Sequence, residues 1–131
     1  MQVDVGFPDK DSVRACCKEL VFQIGLPPDL GGDPDAYGPF DLVLSALALC
    51  TGHHVRTFLQ ARGLPVAQAG VTVRAERGAE SHLLDDVRVE IRVPSDFPEK
   101  YDDAIVRAAG QCLIKAQLGQ KPAIETAVVR A

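Results

Sequence analysis

The chain has 131 residues, of which 47% are hydrophobic, and a formal net charge of −4 at pH 7. This length suits one domain, so we expect a single domain over residues 1–131. The acidic balance and the lack of a basic cluster argue against a nucleic-acid partner, because phosphate binding needs clustered cations. No uninterrupted apolar stretch reaches about 18 residues and the N-terminus lacks a signal-peptide pattern, so we expect a cytoplasmic protein without a membrane partner.

The first 24 residues show the alternation of apolar and polar residues that is typical of β-strands. Val3, Val5 and Phe7 alternate with polar or small residues, and a turn follows at residues 8–11. The same alternation recurs over residues 13–17 and 20–24, which predicts an antiparallel meander. Residues 25–39 contain four glycines and four prolines and are predicted to form a loop.

A first helix is predicted to begin at Pro39, since proline suits the first helical position, where its missing N–H is not needed. Asp41 then places a negative charge at the positive end of the helix dipole. The segment is apolar on nearly all sides as far as Cys50, which predicts a helix buried on several faces. It turns polar afterwards, and Gly63 followed by Pro65 indicates its C-terminal end.

Alternation returns over residues 71–76 and 87–93, which predicts two long strands with one exposed face each. A second helix is predicted to begin near Asp96 and Glu99, which have the spacing of a capping box, and to end at Gly119. A last strand is predicted over Ala123–Val129. The order β-β-β-α-β-β-α-β predicts an α+β fold.

Two cysteines, Cys50 and Cys112, are each predicted to lie in the middle of a helix among aliphatic residues. A thiol reacts as the thiolate, and aliphatic surroundings raise its pKa, so each cysteine by itself is best interpreted as a small core residue. The two helices must pack together in one small domain, however. Both sulfurs can then face the contact, which leaves open a redox pair.

Other polar and thiol side chains give weaker signals. Cys16 and Cys17 are neighbours on a strand and point to opposite faces, so we interpret them as packing residues. His53 and His54 could join Cys50 in holding a metal, but with no second group of ligands we interpret them as half-exposed side chains and expect no metal. No phosphate-binding glycine loop is present, so no nucleotide cofactor is expected.

Two segments resemble a known family. The stretch from Gly38 to Cys50, Gly-Pro-Phe-Asp-Leu-Val-Leu-Ser-Ala-Leu-Ala-Leu-Cys, is similar to the first helix of the OsmC/Ohr family, which ends in the reactive cysteine. The stretch from Phe97 to Lys115, with its Phe-Pro-Glu-Lys-Tyr start and Cys112, resembles the second helix with the resolving cysteine. The strand and helix order also fits, so the resemblance extends over essentially the whole chain.

This resemblance implies an intertwined homodimer in which antiparallel sheets wrap two long central helices. It also implies a cysteine-dependent peroxidase of the oxidative stress response that reduces organic hydroperoxides or hydrogen peroxide without a cofactor. Cys50 would attack the peroxide and become a sulfenic acid. Cys112 would convert it to a disulfide, which an unidentified dithiol would reduce.

The chain departs from the family pattern at the residues that tune the reactive sulfur. Peroxidases of this family hold an arginine and a glutamate there, but Phe40 occupies the position ten residues before Cys50. Asp41 matches an acidic position of the broader OsmC-like branch, where it can also simply cap the helix. Arg14 is the preferred activating cation, and Leu-Ile-Lys follows Cys112 where many members have Pro-Val-His.

A non-catalytic alternative remains open at this stage. An OsmC-like dimer could bind a small apolar ligand at the same interface, or could sense oxidants there. The two functions differ in whether a cation lowers the pKa of Cys50, for which Arg14 and Arg56 are the candidates.

Overall fold

The computed structural model describes residues 1–130. The chain forms two compact units, Met1–Leu42 and the part that begins at Val43. The first contains three strands and the start of a long helix, and the second contains the rest of that helix, two strands and two shorter helices. Antiparallel strands combined with helices confirm the predicted α+β class. That residues 1–131 form one domain stays a prediction.

The N-terminal unit contains an antiparallel sheet in the order β1-β2-β3, as the alternation predicted. The strands are β1 (Asp4–Asp9), β2 (Ser12–Cys17) and β3 (Leu20–Ile24). Cys16 lies opposite Val21 on β3, and its neighbour Cys17 lies opposite Leu20. Because successive side chains of a strand point to opposite faces, these two thiols are directed apart, as expected.

The loop after β3 is tied to that strand by a tyrosine. The Tyr37 hydroxyl donates to the Gln23 carbonyl oxygen at 2.9 Å and accepts the Gln23 N–H at 3.0 Å. Glycine is required within the loop, since a Cβ at Gly32 would lie 1.6 Å from the Leu26 carbonyl oxygen. The loop therefore has a defined path, with a short 3-10 turn over Pro28–Leu30.

Helix α1 spans Pro39–Ala61, and its predicted start and end are confirmed. The Asp41 carboxylate accepts the Gly38 N–H at 2.7 Å, which satisfies a donor at the first turn. After Ala61 the chain leaves the helix through Gly63, whose φ of 65° is a left-handed conformation that suits glycine.

The sequence indicated that no apolar stretch is long enough to span a membrane, and the composition of α1 corrects this expectation. An 18-residue window of the helix has a mean hydropathy of 1.3, so by length and composition alone α1 could cross a membrane. The core helix of a soluble protein meets the same criterion. Only 28% of that window is buried within the chain, so much of the apolar surface of α1 is uncovered by its own chain.

The second unit packs α1 and a later helix against a two-stranded antiparallel sheet. Its strands are β4 (Gly70–Arg77) and β5 (Leu84–Arg92), close to the predicted ranges. The core contains buried side chains from both helices, with partly buried sheet residues such as Val71 and Ile91 packed against them. The buried members are Val55, Phe58, Leu59, Ile105 and Ala109. This core fixes the C-terminal turns of α1.

The predicted second helix is wrong as one continuous element. A 3-10 turn at Glu99–Tyr101 leads into α2 (Asp102–Ala109), and after a break α3 spans Leu113–Leu118. No side-chain cap forms at the start of the 3-10 turn, so the predicted capping box is absent there. The break occurs because Cys112 takes an extended conformation with ψ of 120°, and its sulfur accepts the Lys115 N–H. That donor would otherwise continue the helical ladder.

The predicted last strand is also wrong, since residues 121–130 contain no strand. Ile124, Val128 and Val129 are strongly exposed, at 82%, 80% and 89%. A strand needs a neighbour to pair its backbone N–H and C=O groups, and within residues 1–130 no strand pairs with this segment. The order observed is therefore β-β-β-α-β-β-α-α.

Candidate functional site

Cys50 and Thr51 are consecutive residues in the middle of α1. Cys50 is partly buried, whereas Thr51 is only 3% exposed and belongs to the face that α1 buries. Leu47 and Val55 lie four residues before and after Thr51 on that face, and both are 3% exposed. The helix thus places a partly accessible thiol beside a buried hydroxyl.

Cys112 lies at the break between α2 and α3 and not in the middle of a helix as predicted. The residue is 1% exposed, so it is among the most completely buried side chains of the chain. Its sulfur accepts the Lys115 N–H at 3.4 Å. A cysteine here takes the position that serine, threonine or aspartate usually fills at a helix start, with sulfur in place of oxygen as the acceptor.

The structure brings Cys50 and Cys112 together. Both cysteines are free thiols, and the Cys50 side chain lowers the pKa of Cys112, so the two side chains lie close to each other. The sequence left open whether the sulfurs could meet, and this contact makes a redox pair geometrically feasible. Their catalytic roles stay predictions.

Burial and hydrogen bonding act on the Cys112 sulfur in opposite directions. Burial raises the pKa of the Cys112 thiol, since it disfavours the charged thiolate. Hydrogen bonds from Cys50, the Lys115 N–H, the Thr51 hydroxyl and the Ile114 N–H lower it. Together these donors outweigh burial and hold the pKa of Cys112 below its ordinary value.

The other two predicted site residues belong to the N-terminal unit. Arg14 is exposed on β2, and its Nε donates to the Gln23 side-chain oxygen at 3.0 Å. Its predicted role as the activating cation stays a prediction. The carboxylate of Asp41 accepts the Gly38 N–H, which agrees with the helix-capping role considered for it.

His53 and His54 do not assemble with other ligands. Their rings lie edge to face with centroids 5.9 Å apart, and His53 is exposed while His54 is partly buried. Among residues 1–130, no group of three or more His, Cys, Asp or Glu side chains is clustered as in a metal site.

An apolar cavity of about 450 Å³ is lined by Thr51, the residue that follows Cys50, but by neither Cys50 nor Cys112. Thr51, Gly110 and Lys115 line its wall nearest the helix break, and apolar side chains from β5 and α2 line much of the rest. Those apolar residues include Val89, Ile91, Ile105 and Val106; Phe97, between β5 and α2, adds an aromatic ring, and Asp102 is a second charged group. A small apolar molecule fits such a lining.

Thr51 and this cavity are the features that the sequence reasoning missed. One signal was available, because Thr51 interrupts the row of aliphatic residues that α1 buries at helical spacing. A polar residue in such a row needs a hydrogen-bond partner. The cavity had no comparable signal, because it depends on the break before Cys112.

The comparisons with known proteins agree with this architecture. The model of the OsmC-like protein family matches residues 32–127. Among curated proteins, no sequence matches the chain significantly.

Solved structures with the same fold have low sequence identity. An OsmC like protein from Mycoplasma pneumoniae has a TM-score of 0.71 at 15% identity, covering 90% of this chain and 86% of the other. A protein from Psychrobacter arcticus, assigned to osmotic stress induction and detoxification response, has a TM-score of 0.73 at 17% identity. The match covers 89% of this chain and 87% of the other. An organic hydroperoxide resistance protein from Elizabethkingia anophelis has a TM-score of 0.67 at 16% identity. The match covers 89% of this chain and 87% of the other. At these identities the likeness shows the fold alone.

We predict that Cys112 ionises at lower pH than an unperturbed thiol, whose pKa is about 8.5. The hydrogen bonds on its sulfur favour the thiolate, so the folded-state pKa lies below that of the unfolded chain. Ionised Cys112 then stabilises the folded state above the unfolded pKa, and this contribution disappears as the pH falls through the folded pKa. Ultraviolet thiolate absorbance, recorded as wild type minus Cys112→Ser across pH, measures the midpoint.

The exposed thiol Cys16 supplies the control, measured in the same way as the thiolate absorbance of the wild type minus that of Cys16→Ser. A Cys112 midpoint equal to or above that of Cys16 would contradict the prediction.

Proposed function

The chain belongs to the OsmC-like protein family, and from this premise we propose that it is a thiol-dependent peroxidase acting through Cys50 and Cys112. The substrate would be an organic hydroperoxide or hydrogen peroxide, and a dithiol would restore the reduced enzyme. Organic hydroperoxide resistance proteins are among the solved structures with this fold, which supports a peroxide-related role. A cytoplasmic location fits four free cysteines, since the cytosol keeps thiols reduced.

The proximity of Cys50 to Cys112 is the observation that carries the proposal. A two-cysteine peroxidase needs one sulfur that peroxide can reach and a second that can reach the first. Cys50 is the more accessible of the two, and Cys112 is buried against it. This difference supports Cys50 as the attacking sulfur and Cys112 as the resolving one.

The proposed reaction proceeds in two steps. The Cys50 thiolate attacks the terminal oxygen of the hydroperoxide, the O–O bond breaks, and the alkoxide leaves as the alcohol after taking a proton. Cys50 is thereby oxidised to a sulfenic acid. The Cys112 thiolate then attacks the Cys50 sulfur, an S–S bond forms, and the hydroxyl group leaves as water after taking a proton. A dithiol returns two electrons by disulfide exchange.

The cavity that Thr51 lines supports an organic substrate over hydrogen peroxide. Its wall offers apolar side chains such as Val89, Ile91 and Phe97, which favour a hydrocarbon substituent. The same cavity favours the second candidate function, a non-catalytic protein that binds a small apolar ligand or senses oxidants. Turnover separates the two functions.

We predict that the wild type consumes cumene hydroperoxide with a dithiol such as dihydrolipoamide, and that Cys50→Ser abolishes consumption. Serine is a far weaker nucleophile towards peroxide than a thiolate. Cys16→Ser is the matched control and should retain turnover, because Cys16 is exposed on β2. Peptide mapping after one equivalent of peroxide should find a Cys50–Cys112 disulfide. Absence of turnover in the wild type would favour the ligand-binding function.

We also propose that an arginine activates Cys50, with Arg14 preferred. A guanidinium stays charged at all relevant pH values and so can stabilise a thiolate. Arg14→Ala is expected to slow Cys50 oxidation by more than about tenfold. Arg56→Ala, on the exposed side of α1, is the comparison. Equal rates in the wild type and Arg14→Ala would remove Arg14 from the mechanism.

Uncovered apolar surface supports the proposal of a homodimer. Most of the apolar window of α1 is not buried by its own chain, and Leu49 on it is 76% exposed. Val128 and Val129 at the end of the chain are exposed as well. A second copy that covered these surfaces would stabilise the dimer by about 25 cal/mol for each Å² of apolar surface removed from water.

We therefore predict that the folded protein sediments as a dimer at micromolar concentration, and that its unfolding midpoint in urea rises with protein concentration. Leu49→Glu should weaken the dimer, because it would bury a charge. Glu80→Gln, on an exposed turn, serves as the control. A folded monomer with a concentration-independent midpoint would contradict the prediction.

A further inference from the structure

The cavity of about 450 Å³ follows one stripe of α2 and lies within the second unit of the chain. Asp102, Val106 and Gly110 line it, and because they are spaced four residues apart they share one helix face. All three are exposed, so this face does not belong to the core. We name this cavity the α2 groove. Apolar side chains in and after β5 also line it, namely Val89, Ile91 and Val93.

The two ends of the α2 groove carry opposite charges. Asp102 is the first residue of α2 and Gly110 follows its last residue, so roughly 12 Å of helix axis separate them. The Lys115 ammonium lies at the Gly110 end, since its Nζ is 4.0 Å from the position that a Cβ on Gly110 would take. The groove therefore has a carboxylate at one end, an ammonium at the other and apolar side chains between them.

Neither charge is neutralised by the chain itself. Within residues 1–130, the side chains of Asp102 and Lys115 form no ion pair. Both charges suit their ends of α2, because a carboxylate is favourable at the N-terminal end of a helix dipole and an ammonium at the C-terminal end. That role leaves their hydrogen-bonding capacity unused, so both groups can still bind a ligand in the groove.

We propose that the α2 groove binds an apolar zwitterion, a small molecule with a carboxylate for Lys115, an ammonium for Asp102 and a hydrocarbon body between them. The two ligand charges would lie roughly 10 Å apart, slightly less than the separation of the protein groups along α2. A dicarboxylate would meet like charge at Asp102, and a diamine would meet like charge at Lys115, so the groove selects against both. The proposal goes beyond the peroxidase reaction, because neither Cys50 nor Cys112 lines the groove.

An ω-amino carboxylic acid and a short apolar peptide both have this chemistry. The probes ω-aminooctanoate and trivaline represent them, since each extends over roughly 10 Å between its charged ends. Two matched probes carry one charge each: ω-hydroxyoctanoate keeps the carboxylate, and ω-aminooctanamide keeps the ammonium. A fifth probe, γ-aminobutyrate, has both charges but is too short to reach both ends of the groove.

The test is isothermal titration calorimetry of each probe into the reduced whole chain. The wild type is compared with Lys115→Gln and Asp102→Asn, each of which removes one charge at nearly constant size. Lys121→Gln and Asp103→Asn are the controls, because both side chains are exposed and neither lines the groove. Lys115→Arg and Asp102→Glu keep the charges and should retain binding. Circular dichroism verifies that every variant is folded.

The wild type should bind ω-aminooctanoate about fivefold more tightly than either singly charged probe, the upper range for an exposed ion pair. Lys115→Gln should weaken ω-aminooctanoate binding about fivefold and leave ω-aminooctanamide binding unchanged. Asp102→Asn should weaken ω-aminooctanoate binding equally and leave ω-hydroxyoctanoate binding unchanged. The controls should match the wild type. Trivaline binding with the same crossed pattern assigns the ligand to the peptides, and its absence assigns it to the ω-amino acids.

Charges that serve only the helix dipole predict a different result. Lys115→Gln and Asp102→Asn would then lower the thermal stability and leave the affinity for every probe unchanged. That result would overturn the inference, as would a wild type that binds neither zwitterion or that binds γ-aminobutyrate or a singly charged probe as tightly as ω-aminooctanoate. Because no probe contains a peroxide, a wild type that fails to consume cumene hydroperoxide contradicts the proposed function and leaves this test intact.

Discussion

The arrangement of the site depends on the hydrogen bonds that converge on the Cys112 sulfur. The Lys115 N–H donates to this sulfur, and that bond accompanies the extended conformation that separates α2 from α3. A continuous helix would instead pair that N–H with the carbonyl four residues earlier. The break therefore turns a residue that would have been one more core side chain into an acceptor for a backbone donor of α3. The cavity wall at Gly110 and Lys115 follows from the same break.

This arrangement gives the two sulfurs different properties. Cys50 is held in a regular helix and is partly accessible, whereas Cys112 is buried and surrounded by donors. Peroxide attack needs access from outside, but disulfide formation needs only that the second sulfur be ionised and aimed at the first. Burial of Cys112 would oppose ionisation in the absence of donors. The hydrogen bonds reverse that effect, so burial and ionisation become compatible at one atom.

Most of the fold could be predicted from the sequence because its strands and its long helix have clear periodicities and ends. The meander, α1 from Pro39 and the hairpin of β4 and β5 are local patterns with marked turns. The break before Cys112 had one signal in the sequence, Gly110 at the C-terminal end of α2, but the helical spacing of Ile105, Ala108 and Cys112 favoured a continuous helix. Whether the Cys112 sulfur accepts the Lys115 N–H in place of the helical carbonyl depends on the tertiary packing around the sulfur. The segment over 123–129 has a strand pattern, but a strand also needs a neighbour, which its own sequence does not reveal.

The identity of residue 51 links stability to chemistry. A valine at this position would continue the row formed by Leu47 and Val55, and it would bury more apolar surface without a polar group to satisfy. Stability alone therefore favours valine, and threonine is at best neutral when its hydroxyl is fully bonded. Threonine at 51 therefore gains no stability over valine, and what its side chain changes is the pKa of the Cys112 thiol, which it helps to lower.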